Sequence, residues 1–216
     1  MVRADYNEYP ISMSMKRKYD SELRSSRAAD TRLRIQKSAR RLIAASGFEN
    51  TAITAIAKDA GVSPQTIYSV FGSKAAIVAS MLTHLEEEAG EADSLAALMA
   101  EDNPRRQLQI FSEWIRRLFD MSADIFTVVA QSPDEPSLVE IRENGDARRL
   151  GGCKMLAGKW AEAGVLNDKY DADAAAEQFW LLTSFETYVL CTKGLNWSSD
   201  RYEKWVAESV AQLVFS

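Results

Sequence analysis

Between residues 47 and 74 the apolar positions fall at helical spacing, break, and resume. Ile53, Ile56, Ala57 and Ala60 recur at intervals of three and four, which gives a short helix one buried face. Gly61 follows, the residue type that ends a helix by taking left-handed backbone. Ser63 then offers a hydroxyl to cap a second helix, and Pro64 suits its first turn, where no amide hydrogen is needed. Ile67, Val70 and Phe71 form the inner face of this second helix, leaving Gln65, Thr66 and Tyr68 pointing outward. Two short helices at a steep angle around a glycine-containing turn make a helix-turn-helix, whose second helix fits the DNA major groove.

The flanking pattern predicts helices on both sides. Over about 29–46, Ile35, Ala39, Leu42 and Ile43 make an inner stripe, Arg32, Arg34, Lys37, Arg40 and Arg41 stay outside, and Gly47 closes the helix. A fourth helix begins near Ser73, carrying Ile77, Met81 and Leu85 inward with Lys74 in its first turn. A cation there opposes the helix dipole, so a DNA phosphate would account for its position. Residues 1–28 hold no sustained period and read as a flexible, basic N-terminal arm.

Charge sharpens this division. The net charge is −5, yet residues 1–74 carry +6 and residues 75–216 carry −11. Charges beyond roughly 8–10 Å are screened, so the local basic face governs attraction to phosphates. The predicted organisation is an arm over 1–28, a helix-turn-helix DNA-binding domain over 29–74 and a helical body over 75–216.

The body shows no strand-like alternation, and Pro104, Pro133 and Pro136 mark its connections. Leu108, Phe111, Ile115 and Leu118 predict a helix over about 105–121, followed by a short apolar segment over 125–130. A longer helix over about 135–163 contains Leu138, Ile141, Leu150, Cys153, Leu156 and Trp160, with Gly145 and Gly151-Gly152 as points of bending or close approach. Residues 171–193 read as one helix, apolar nearly all round from Phe179 to Leu190, and a helix of that kind must be buried on every side. The last helix, about 199–215, carries Tyr202, Trp205, Val206, Val210, Leu213 and Val214. Two such helices from each of two chains would form a twofold four-helix interface, with Trp180, Phe185, Tyr188, Trp205, Val206 and Leu213 as its candidates. A large monomeric core is the competing reading of the same pattern.

From Gly47-Phe48 through Ile56-Ala57, Ala60-Gly61-Val62-Ser63, Thr66-Ile67-Tyr68 and Phe71 to Lys74, the chain resembles the tetracycline-repressor (TetR) family of bacterial regulators. Ala52 departs from the pattern, standing where members often carry a hydroxyl residue. The resemblance implies an all-α fold of about nine helices: a three-helix DNA-binding head and a larger body for ligand binding and dimerisation. It also implies a homodimer on double-stranded DNA. Gln65 and Thr66 suit base edges, Thr54 a base or a phosphate, and Ser63, Tyr68 and Lys74 phosphates, on a helix opening at Pro64. A small-molecule effector would occupy a cavity in the body. Its candidate walls are Met81, Ile110, Trp114 and Phe126, together with Met155 and Phe179, with His84 as a polar contact.

Other classes find little support. There is one histidine, His84, and the two cysteines, Cys153 and Cys191, have neither metal nor redox spacing. No glycine-rich phosphate loop occurs, and Glu86-Glu87-Glu88 point different ways on a helix, so neither an enzyme nor a cofactor is expected. With no signal peptide and no apolar run of about 20 residues, a cytoplasmic protein without a membrane partner is expected. Two alternatives stay open: an activator of the same fold, and a helical ligand-binding or protein-interaction module without specific DNA binding.

Overall fold

A computed structural model describes residues 11–216, with side chains from residue 26 onward; the first ten residues of the expected arm lie outside the described part. Helix α1 runs Ile11–Ser46, α2 Ile53–Ala60, α3 Pro64–Phe71 and α4 Lys74–Glu88. The body continues with α5 (Glu91–Ala100), α6 (Pro104–Ala130), α7 (Pro136–Glu162), α8 (Ala172–Leu182), α9 (Phe185–Val189), a π-helical turn (Leu190–Gly194) and α10 (Ser199–Val214). The fold is all-α among the described residues, apart from an isolated bridge between Leu166 and Phe215.

Several elements differ from the sequence expectation. Helix α1 begins at Ile11 and not near Ala29, so 11–28 are helical; no glycine or proline interrupts the chain between Pro10 and Gly47. Residues 105–130 form one helix, because Phe119, Ser122, Ile125 and Val129 continue the buried stripe across the expected gap. The helical glycines of α7 have no atom near enough to explain them by close approach. Residues 171–193 do not form one helix. The chain breaks at Thr183-Ser184, where the Ser184 hydroxyl accepts from the Thr187 amide at 3.1 Å and starts α9 afresh. Ten α-helices result among the described residues.

Two buried clusters organise the molecule. One joins Ile35, Ala39 and Ile43 of α1 to Ile56, Ala57 and Ala60 of α2, Ile67 of α3, and Ile77, Val78 and Met81 of α4. It also takes in Ile125, Val128 and Val129 of α6 and Leu138 of α7, so the apolar core of the head runs past residue 74 into the body. The second cluster holds the rest of α6 with α7, α8 and α10, around fully buried Trp160, Phe179, Tyr202 and Val206. Helix α4 belongs to both: Leu85, in its last turn, and Ala89, just past its end, pack into the body cluster. A helix shared between two cores transmits displacement, since packed interiors shift as units and do not deform continuously.

Candidate nucleic-acid interface and body cavity

The turn of the helix-turn-helix is built as its residues dictate. Gly61 takes left-handed backbone (φ 65°, ψ 39°) and donates to the Lys58 carbonyl, while the Val62 amide donates to Ala57 at 2.9 Å. This double closure of the helix end is a Schellman motif. Ser63 accepts from the Thr66 amide at 3.1 Å, and Pro64 occupies the first turn of α3.

Burial then divides α3 into two faces. Ile67 is fully buried in the head cluster, while Gln65, Tyr68 and Ser69 are exposed, Tyr68 by half its surface. These three lie at i, i+3 and i+4 and form one polar strip. Ser69, absent from the sequence candidates, was legible from that spacing alone. Thr54, Ser63 and Pro64 are exposed beside the strip. Thr66 is half-buried, its hydroxyl 2.9 Å from that of Ser63, which turns it toward the cap more than outward. Ala52 gives α2 no side-chain cap, so the departure noted in the sequence leaves the first amides of α2 without that partner.

Lys74 is placed differently from the expectation. Its ammonium donates to the Phe48 carbonyl and, at 2.9 Å, to the Thr51 carbonyl, and lies 4.1 Å from the centre of the Phe48 ring. Burial lowers its pKa below the ordinary lysine value. Here the cation clamps the α1–α2 loop onto the start of α4.

Other clamps fix the poses of α2 and α3 against α1 and escaped the sequence reading. The Arg32 guanidinium packs over the Phe71 ring at 4.7 Å and donates to the Val70 carbonyl, holding the end of α3 against α1. Asp59 on α2 accepts from Arg41 and, at 2.5 Å, from the Ser38 hydroxyl on α1. The Arg41 bond, helped by Ser38, holds the Asp59 carboxyl below its usual pKa.

The body encloses a cavity of about 480 Å³ between α4, α5, α6, α7 and the start of α9. Of the candidate walls, Trp114, Phe126 and Met155 line it. Met81 belongs to the head cluster, Phe179 packs behind Phe111 at 4.6 Å, and Ile110 faces the body core. His84 stands outside with Glu87 and Glu88, beside α1. Phe185, expected at a dimer interface, instead stacks on Phe126 at 5.0 Å inside the cavity wall, because the break at Thr183-Ser184 turns α9 inward. Glu86 and Arg148 meet in that wall, and their hydrogen bonds raise the Arg148 pKa above its ordinary value.

The remaining interface candidates separate by burial. Val206 and Tyr188 are buried within their own chain, Tyr188 donating to Asp120 at 2.6 Å, and so offer nothing to a second copy. Trp180 is half-buried beneath Arg149, and Trp205 is half-buried against Trp197. Leu213 remains exposed, joined by Leu181, Leu190 and Leu195 on α8, the π-turn and the loop after it.

This arrangement defines a helix-turn-helix DNA-binding protein with a ligand-sized cavity in a helical body. Residues 35–81 match the family model for bacterial regulatory proteins of the tetR family. NalD, the secondary repressor of the MexAB-OprM multidrug efflux pump in Pseudomonas aeruginosa, superposes with a TM-score of 0.70 at 20% identity, over 87% of this chain and 98% of that one. A Saccharomonospora viridis protein described as a transcriptional regulator, in complex with choline, gives 0.68 at 23% identity, over 87% and 99%. SmeT in complex with triclosan gives 0.73 at 14% identity, over 86% and 92%. At these identities the likeness speaks to the fold. No curated protein matches the chain. The head is a tetR-family DNA-binding domain, and the protein is a DNA-binding transcriptional regulator built on it. No single helix among the described residues is long and apolar enough to cross a membrane.

Proposed function

We propose that this chain acts as a homodimeric repressor on a palindromic operator in the cytoplasm, and that a small molecule in the body cavity releases it. The observation that carries this reading is the exposed strip of Gln65, Tyr68 and Ser69 on a helix whose opposite side is locked by Ile67. Gln65 suits the paired donor and acceptor of adenine in the major groove, while Tyr68, Thr54 and Ser63 suit phosphates that set register. Lys74 contributes by holding the head rigid.

Exposed Leu181 and Leu213, with half-buried Trp180 and Trp205, support pairing through α8 and α10 with a second copy. The aromatic cavity supports an effector, as do the choline and triclosan complexes of proteins that share the fold. An effector shifts the heads only by binding one spacing better than the other. The reading is one of binding and release, with no chemical step.

Selection of bound fragments from random DNA tests the reading. It should enrich a palindrome whose half-sites lie about 10 base pairs apart, or at a longer helical repeat. Recovery of unrelated sequences at equal affinity would reject it in favour of a helical ligand-binding module.

A further inference from the structure

The wall of the body cavity contains an ion pair that ties the helix shared with the head to the body. Arg148 on α7 donates to both carboxylate oxygens of Glu86 on α4, at 2.7 and 3.2 Å, and both residues line the cavity. Their exposures differ sharply: the Arg148 side chain is 62% exposed and that of Glu86 only 13%. Arg148 therefore sits at the rim, where it can swing into water at little cost, whereas Glu86 is fixed in the wall.

The surroundings favour a positive occupant. Phe111, Trp114, Phe119, Phe126 and Phe185 line the same space, and aromatic faces attract cations. Arg149 is already engaged by Asp146, Thr183 and the Trp180 carbonyl. Arg142, half-buried on α7 with no ion pair among the described residues, is the feature that argues for an anion instead. An anion drawing Arg148 away would leave the Glu86 carboxylate, only 13% exposed, without its partner in the wall, and a poorly solvated carboxylate without a partner is unfavourable.

We infer that the effector is an organic cation with an apolar or aromatic body, and that its charged nitrogen takes the place of Arg148 at Glu86. This deepens the effector-cavity reading above and rests on it. The exchange has a mechanical consequence. Helix α4 carries Ile77, Val78 and Met81 in the head cluster, and Glu86 is its polar tie to α7. Once a ligand holds Glu86, that tie is gone and α4 is free to settle in a different position.

Three probes of nearly one shape test this on the full-length protein without DNA: 4-phenylbutylammonium, 4-phenylbutanol and 4-phenylbutyrate, each titrated by calorimetry. The amine should bind about tenfold or more tighter than the other two, and Glu86→Gln should remove about that factor while leaving the alcohol within about twofold. Arg148→Gln should leave the affinity for the amine unchanged or raise it. Should Glu86→Gln fail to fold, Glu86→Asp withdraws the carboxylate by one methylene and is expected to weaken the amine by a smaller factor. Equal affinity for amine and alcohol, tightest binding of the butyrate, no binding of any probe, or full amine affinity in the Glu86 variants would overturn the inference. Because binding is read on the free protein, failure to find an operator and failure of this test are separate results.

Discussion

The Arg40 guanidinium on α1 grips the Asp124 carboxylate on α6 through two parallel hydrogen bonds, Nε to Oδ2 and Nη2 to Oδ1, both 2.8 Å long. Nη2 also reaches the Met121 carbonyl, and the bond to Asp124 raises the Arg40 pKa above its ordinary value. This fork joins the first helix of the head to the central helix of the body, beside the apolar cluster they share. Both side chains are about one-third exposed, so water weakens the pair, while its bidentate geometry strengthens it. A double-mutant cycle with Arg40→Ala and Asp124→Ala should give a coupling of about 1 kcal/mol in denaturant unfolding. An additive cycle would show the fork to be a passive contact.

Gln65 and Tyr68 share one face of α3 but should fail differently. Gln65→Ala should reduce discrimination at one base pair by about 1–3 kcal/mol while leaving affinity for unrelated DNA intact. Tyr68→Ala should weaken binding to every sequence alike, as loss of a phosphate contact does. Competition binding across single-base operator variants separates the two patterns.

For Lys74 the internal clamp leads to an uncommon expectation. A lysine that neutralises a phosphate contributes about 0.9 to the slope of log K against log salt. Lys74 holds carbonyls of the α1–α2 loop, so Lys74→Met should lower both the melting temperature and operator affinity while leaving that slope unchanged. A slope shallower by about one unit would return Lys74 to the phosphate backbone.

Burial separates the surface of the proposed dimer from the core behind it. Leu181→Glu with Leu213→Glu should yield well-folded monomers in sedimentation velocity, because charges are then buried against a second copy. Val206→Ala, inside the body core, should cost about 2 kcal/mol of stability and leave the sedimentation coefficient unchanged. A dimer that survives the double substitution would move the interface elsewhere.

Burial also sets the behaviour of the thiols. It pushes the Cys153 pKa up to about 12 and raises that of Cys191. The thiolate is the reactive form, so iodoacetamide at pH 8 should modify neither quickly until urea opens the fold. Linkage gives the direction with pH: the unfolded chain ionises its thiols near the ordinary value while folded Cys153 does not. Stability should therefore fall as pH climbs from the ordinary thiol range toward 12. Melting temperatures in alkaline buffers check this, with Cys153→Ala flattening the decline.

Local physics sufficed for the reading head. The spacing of Ile53, Ile56, Ala57 and Ala60, the left-handed position at Gly61 and the caps at Ser63 and Ser73 act within four or five residues, so the chain order alone determines them. The break between α8 and α9 had a local signal too, in the capping hydroxyl of Ser184, hidden by the apolar residues around it. The clamp from Lys74 to carbonyls 26 and 23 residues earlier was not legible, nor was the pairing of Arg148 with Glu86 across 62 residues. Which aromatic residues line the cavity and which pack behind it depended on how each body helix is rotated against its neighbours. Phe179 and Phe185 look alike as sequence, and packing sent one into the core and the other to the cavity wall. The sequence by itself determined a helix-turn-helix with a polar outer strip, because helical periodicity and capping are local. Tertiary structure alone decided the clamps, the cavity and the surface left for a second copy, because those depend on side chains that meet only when distant helices pack.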